Sequence, residues 1–366
     1  MKRRTFLWAG GVLVAGATAG AALSMQRMGS TQAYAAYAAR LRDALAAQPD
    51  AVDLVRFATL AANSHNTQPW RFRLSPGRIE LLPDLTRRTP AVDPDDHHLF
   101  TSLGCAATNL ALAAQARGLP GELRFQPDAP GHLVFDYRPG TASATPLFDA
   151  IAQRQSTRAE YDGRPATSAA LATLARAAQV PGVDLALVVD PTVRQDISDL
   201  VLAGNSAQMA DPAFVRELKQ WLRFNPDEAM SAGDGLYAAA SGNPIGPSWL
   251  APSLFDLFFK AKAENDKYAR QLQSSAGMAV FSAEKDDPEH WLLVGQACQR
   301  FALQATALGM KHAFVNQPIE VASLRGELAT LAGFPGRRPN LLMRFGYGQT
   351  LPYSPRRPAA SVIEPA

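Results

Sequence analysis

The sequence predicts an α+β fold built from two related halves in one chain. Three observations carry this. Short strand-like stretches and longer stretches with helical apolar spacing occur in both halves. Residues Gly104–Leu119 (GCAATNLALAAQARGL) and Gly295–Met310 (GQACQRFALQATALGM) agree at seven of sixteen positions, and each copy precedes a strand-like stretch. The chain has 366 residues, 47% hydrophobic and 19% charged, enough to bury a sizeable core.

The N-terminus reads as an address. Lys2, Arg3 and Arg4 precede Thr5-Phe6-Leu7, and an uncharged apolar run from Trp8 to Leu23 follows. A charged start and a weakly hydrophobic core form an export signal. Arg-Arg-x-Phe-Leu resembles a twin-arginine signal, which implies the Tat export machinery as a partner and a periplasmic or exported location. That route carries folded proteins, so it also favours a cofactor inserted before export. Ala19-Gly20-Ala21 and Thr31-Gln32-Ala33 offer cleavage sites, while Thr5–Met25 is long enough to remain as a membrane anchor. Residues 1–33 are assigned to signal or anchor and linker.

The first half spans 34–145. Tyr34, Tyr37, Leu41 and Leu45 lie at helical spacing, and Asp53–Ala62 forms a second helix. Asn63–Pro69 is a turn, because a residue before proline leaves helical geometry. Trp70–Leu74 and Arg78–Leu82 alternate around Ser75-Pro76-Gly77 as a β-hairpin. Phe100–Gly118 is a long helix ending on a glycine, and Gly121–Phe125 and His132–Tyr137 are strands. The second half spans 146–366. It begins with helices at Leu147–Arg154 and Ala169–Gln179 and a strand at Val183–Val189. Residues 192–270 read as a mostly helical insertion, broken at Asn225-Pro226, Gly233–Gly235 and Gly242–Pro247. A strand (Met278–Ser282), a helix (His290–Gly309) and a last strand (Asn340–Gly346) follow.

Three clusters could carry chemistry. Asn63, Ser64, Asn66 and Gln68 crowd short polar side chains onto the turn before Trp70, suited to the polar edges of a ring system. Arg154, Gln155, Ser156 and Arg158 place two arginines around a hydroxyl, a pattern suited to phosphate. Arg356 and Arg357 form a basic pair near the C-terminus.

Together these motifs resemble the nitroreductase superfamily over roughly residues 50–362. Ser-x-Asn-x-Gln-Pro-Trp resembles its flavin-binding turn, and Arg-x-Ser-x-Arg its FMN-phosphate motif. The resemblance implies FMN as cofactor and a nitroreductase-like fold, with Arg356 or Arg357 completing the phosphate site. In ordinary members the phosphate motif precedes the turn, and the flavin lies between two copies of the chain. Here the turn comes first. With the repeat, this resembles a homodimer fused into one chain, as in the Acg-type branch. The resemblance further makes 192–270 a lid over the flavin and places Asn316 and Gln317 near the ring edge.

The resemblance also implies that flavin N5 carries the chemistry, so no catalytic side chain is expected. The leading expectation is an exported FMN oxidoreductase acting on a small-molecule substrate or electron acceptor. Export separates it from cytoplasmic NAD(P)H and favours a membrane-bound electron donor. The alternative is a flavin-binding or flavin-sequestering protein with little turnover. A net charge of +3 without a basic stripe argues against nucleic acid. His97 and His98 with Asp93, Asp95 and Asp96 are read as a solvated loop, so no metal is expected. Cys105 and Cys298 could form one bridge but read more simply as buried small side chains. No Gly-x-Gly-x-x-Gly follows a strand, and no nucleophile elbow is present.

Overall fold

The computed structural model describes residues 28–250, 255 and 259–365. The export signal, its Ala19–Ala21 cleavage site and the alternative anchor lie outside the described residues.

Ser30 caps helix α1 (Thr31–Arg40), and Asp50 caps α2 (Ala51–Thr59), each accepting a backbone N–H with its side chain. The expected hairpin forms from β1 (Trp70–Ser75) and β2 (Arg78–Pro83), with Trp70 and Phe72 buried while Arg71 and Arg73 face solvent. Helix α3 (His97–Ala116) begins three residues before the expected start at Phe100. The Asp93 carboxylate causes this, accepting from the backbone N–H of His98 and Leu99. Gly118 follows the helix at φ +73°, as a C-terminal glycine should. β3 (Gly121–Gln126) and β4 (His132–Tyr137) complete an antiparallel sheet of order β1-β2-β4-β3.

The next helix, α4 (Pro146–Ala150), is shorter than the expected Leu147–Arg154. Beyond Arg154 the chain turns extended, because Ser156 bridges to His312 and the Thr157 N–H donates to the His312 carbonyl. Helix α5 (Ser168–Ala177), β5 (Val183–Val188), α6 (Pro191–Ala210), α7 (Pro212–Trp221) and α8 (Pro226–Ala232) follow, with two short parallel strands, β6 (Leu222–Arg223) and β7 (Leu236–Tyr237), flanking α8. Then come α9 (Ala261–Gln273), β8 (Gly277–Ala283), α10 (Pro288–Ala307), β9 (Lys311–Phe314), α11 (Gln317–Glu320), α12 (Arg325–Leu331) and β10 (Pro339–Gly346). Helices α6, α7, α8 and α10 share one start: an Asp or Asn whose side chain accepts a first-turn N–H, followed by proline at the first helical position. Asn225-Pro226 therefore opens a helix as well as breaking the one before it.

The second sheet has order β5-β8-β10-β9, all antiparallel. By rank this matches the first sheet, and α3 and α10 occupy equivalent places between second and third strands. Ile197, Leu200 and Val201 of α6 and Leu272 of α9 are buried with Met278, Val280 and Leu342, so both helices belong to the body.

Helices α3 and α10 cross at their glycines. A Cβ on Gly104 would lie 2.0 Å from the Leu292 carbonyl oxygen, and one on Gly295 would lie 2.0 Å from that of Thr101. Each glycine thus meets the carbonyl three residues before the other, a reciprocal contact that only two hydrogens permit. Around it α3 is almost wholly buried. This explains why a helix apolar and long enough to cross a bilayer serves as an internal one. Gln299 on α10 donates to Asn109 on α3 at 2.8 Å, satisfying both buried amides at the crossing. Replacing Gly295 by Ala should lower unfolding stability by about 3 kcal/mol or more, since backbone rather than a flexible side chain must move. Urea denaturation measures this, and a loss below about 1 kcal/mol would refute the close crossing.

Candidate functional site

The polar turn after α2 is strained and tightly held. His65, Asn66 and Gln68 have φ of 46°, 55° and 52°, which non-glycine residues rarely adopt. Asn63 braces the turn from inside, its Oδ1 accepting the Gln68 N–H at 2.8 Å. Ser64 is anchored through its N–H to Ser102 Oγ on α3. Asn66 and Gln68 are not among the residues that line the central cavity. Asn66 Nδ2 donates to the carbonyls of Gly235 and Pro355, both at 3.0 Å. Gln68 Nε2 donates to the Gly233 carbonyl at 2.8 Å, and its Oε1 accepts the Arg357 N–H at 2.9 Å. These two residues fasten the turn to the segment after α8 and to the C-terminal tail.

The basic tail is spent the same way. Arg356 is buried and donates to the carbonyls of Thr59 and Ala61, to Pro355 and to Asn66 Oδ1. It closes the C-terminal end of α2, where a cation is favoured. Arg357 donates to the Gln68 and Ser361 carbonyls. The resemblance placed these arginines at a phosphate. Here they secure the turn instead, because the tail crosses back and pairs with β1 at Phe72.

Around Arg154 the balance is different. Its Nη2 donates to the Leu60 carbonyl at 3.0 Å, but Nε and Nη1 are buried without partners. His312 beside it also has both ring nitrogens buried and unpaired, and burial with Arg154 nearby pushes its pKa well down. Gln155 is structural: it donates to the Leu351 carbonyl and accepts from the Leu351 N–H. Ser156 sits in the bridge to His312. Cys105 and Cys298 are buried free thiols near this guanidinium, and Cys105 Sγ donates to the Gly295 carbonyl.

A cavity of about 530 Å³ opens beside the polar turn. Asn63, Ser64, Arg158, Asn316 and Gln317 line it, so five of the twelve expected residues meet there. Asn316 accepts the Leu342 N–H at 2.9 Å, while Gln317 Oε1 is buried without a partner. Leu222, Arg223, Phe224, Leu236 and Ile245, from the segment 222–245, line it as well. Asp234 in that segment binds Arg223 and Arg87 together.

Other cavity residues escaped the sequence reading. His98, Asn205, Gln208, Tyr268 and Glu320 line the same space. The supposed solvated loop is in fact interior: Asp93, His97 and His98 are at most 5% exposed. Among the described residues they form no group able to hold a metal. Burial pushes His98 down to about 3 and His65 to about 4, leaving both neutral. Burial pushes Glu320 and Asp93 up to about 7, in Asp93 against the pull of two backbone N–H groups. The available signal was Glu320 following Gln317 at helical spacing.

No family model matches the chain. A Mycobacterium tuberculosis protein provisionally named an NAD(P)H nitroreductase is 28% identical over 337 residues, covering 86% of this chain and 92% of its own length. A second, provisionally named NAD(P)H nitroreductase acg, is 24% identical over 320 residues, covering 84% and 93%. These relatives support kinship with the nitroreductase superfamily. At that family level they support an oxidoreductase. Among solved structures, a nitroreductase with bound FMN from Desulfitobacterium hafniense matches 59% of this chain and 94% of its own, at 20% identity and a TM-score of 0.36.

The raised Asp93 pKa has a stability consequence with a definite sign. Its folded pKa of about 7 lies above the ordinary unfolded value. The stabilisation from the neutral acid is therefore complete below about pH 4 and lost as pH rises through about 7. Asp93→Asn keeps an acceptor but no titration. It should lose less stability than the wild type between about pH 5 and about pH 8. Equal changes in the two urea midpoints would show that Asp93 is ionised in the fold.

Proposed function

We propose that the protein is an exported FMN-binding oxidoreductase of the nitroreductase kind, acting on a small molecule held in the central cavity. The observation that carries this is Arg154, with two guanidinium nitrogens buried and unpaired near the Cys105 thiol, itself a cavity-lining group. Leaving such a group unsatisfied is costly, and a phosphate monoester would satisfy it bidentately. Arg154, Ser156 and Arg158 are the residues to hold that phosphate. Asn63, Ser64, Asn316 and Gln317 line the cavity, which supports their role at the polar edges of the flavin ring. FMN supplies the two-electron redox centre, and the chain supplies binding, orientation and exclusion of water. The two halves serve as a dimer fused in one chain, the first contributing the turn and the second the phosphate motif.

A second reading has its own support. The segment 222–245, held by Asp234, borders the cavity; acting as a lid it would restrict turnover, which favours a protein that holds flavin. Export through the Arg3-Arg4 signal would separate the site from NAD(P)H and favour a membrane-bound electron donor.

The folded protein made in the cytoplasm should absorb near about 450 nm, as bound flavin does. A colourless protein refutes FMN binding. Arg154→Ala with Arg158→Ala should release FMN; retention would show that the phosphate is held elsewhere. Fast anaerobic oxidation of NADPH with a nitroarene favours the oxidoreductase, and negligible turnover the flavin-holding protein. Arg3→Lys with Arg4→Lys should leave the protein in the cytoplasm, and unchanged export would exclude the twin-arginine route.

A further inference from the structure

We propose that Cys105 and Cys298 are a redox-active dithiol that closes to a disulfide and braces the α3–α10 crossing, with a small organic disulfide entering the central cavity as oxidant. The pair works without flavin, so its test is independent of the reading above.

The two thiols converge because the two glycines do. Cys105 follows Gly104 on α3, and Cys298 lies about one helical turn beyond Gly295 on α10. A side chain on a helix leans toward the N-terminus, so Cys298 reaches back over the turn that begins at Gly295. Cys105 Sγ arrives from α3 on that same turn, donating to the Gly295 carbonyl at 3.2 Å. There the Cys298 and Cys105 side chains are in hydrogen-bond contact. A disulfide needs backbones close enough for two Cβ atoms to stand about 4 Å apart. The crossing brings them that close: a Cβ on Gly104 would lie 3.1 Å from the Gly295 Cα.

The surroundings make one thiol react first. Cys105 borders the central cavity, whereas Cys298 is completely buried in the apolar cluster around Phe281, Phe301 and Phe345. Arg154 is buried beside both thiols with Nε and Nη1 unpaired, and its positive charge favours a thiolate. Burial, with Cys105 next to it, pushes the Cys298 thiol well up, so Cys298 keeps its proton until its partner has reacted. Cys105 is therefore the attacking sulfur and Cys298 the resolving one.

The exchange balances. The Cys105 thiolate attacks one sulfur of the organic disulfide, whose S–S bond breaks and releases a first thiolate. The Cys298 sulfur then attacks the Cys105 sulfur, the mixed S–S bond breaks, and a second thiolate leaves. Both cysteine protons end on the two thiols released. The cysteine pair is oxidised by two electrons and the reagent is reduced by two.

The bridge lies where the central helices hold the polar turn. Ser102, one turn before Cys105, holds the Ser64 N–H, and Gln299, next to Cys298, holds the Ala62 N–H. Closing the bridge fixes these two supports relative to each other. Export as a folded protein, proposed above, would carry the reduced pair into an oxidising compartment, where a disulfide persists.

The test uses the full-length protein, purified reduced and exposed without denaturant to bis(2-hydroxyethyl) disulfide. Peptide mapping without reductant should show Cys105 joined to Cys298, and neither thiol should alkylate after unfolding. The melting temperature should rise by about 5 °C on oxidation, because the bridge restricts the unfolded chain over a long loop, and fall back with dithiothreitol. Cys298→Ala should trap the reagent on Cys105 as a mixed disulfide. Cys105→Ser, which keeps a donor for the Gly295 carbonyl, should leave Cys298 unmodified. Two free thiols in the folded wild type after oxidation, or a bridge that forms only in urea, overturns the dithiol. An oxidised protein that melts no higher than the reduced one overturns the bracing role. A mixed disulfide on Cys298 of Cys105→Ser overturns attack from the cavity. Should either variant fail to fold, the wild-type peptide map and melting temperature still decide.

Discussion

Two glycines in contact govern the architecture. At the α3–α10 crossing, backbone meets backbone with no room for a side chain on either helix. Because α3 carries Thr101, Ser102 and Cys105 on the cavity wall, the crossing also sets the position of the site. From α3, Ser102 holds the Ser64 N–H; from α10, Gln299 holds the Ala62 N–H. The polar turn is therefore suspended between the two central helices. Widening the crossing would move the turn relative to Arg154 and Arg158.

The turn itself is a place where local energy is unfavourable and tertiary contacts compensate. Three non-glycine residues in the left-handed region each cost of order 1–3 kcal/mol. Charge-assisted and buried hydrogen bonds from Arg356, together with those of Asn66 and Gln68, are of comparable size. Their partners lie after α8 and in the tail, so turn, segment 222–245 and C-terminus form one interlocked unit. Asp234 extends it to Arg87 and Arg223. Segment 222–245 is attached through the same polar residues that make the turn recognisable.

Desolvation dominates the electrostatics around the cavity. Histidines are driven neutral and carboxyls are driven protonated, while few opposite charges stand close enough to reverse either effect. Arg154 keeps two buried nitrogens without partners, as His312 does, but arginine does not escape burial by losing its proton.

Local chemistry in the sequence determined much of the fold. Alternation made the β1–β2 hairpin legible, and Gly118 marked the end of α3. The repeat around Gly104 and Gly295 identified the two helices that meet. The polar turn and the Arg154–Arg158 motif were visible because their residue types and spacing are local properties. Only the tertiary structure decided what those residues touch. Arg356 and Arg357 read as phosphate ligands, but the tail's return to β1 carries them to the turn. Asp93, His97 and His98 read as a solvated loop, but all three are buried, His97 against Trp291 and Asn340. Glu320 looks like an ordinary charged helix residue until α6, α7 and α3 close around it. Burial and partnership depend on surfaces that meet across hundreds of residues, and no local pattern encodes which surfaces those will be.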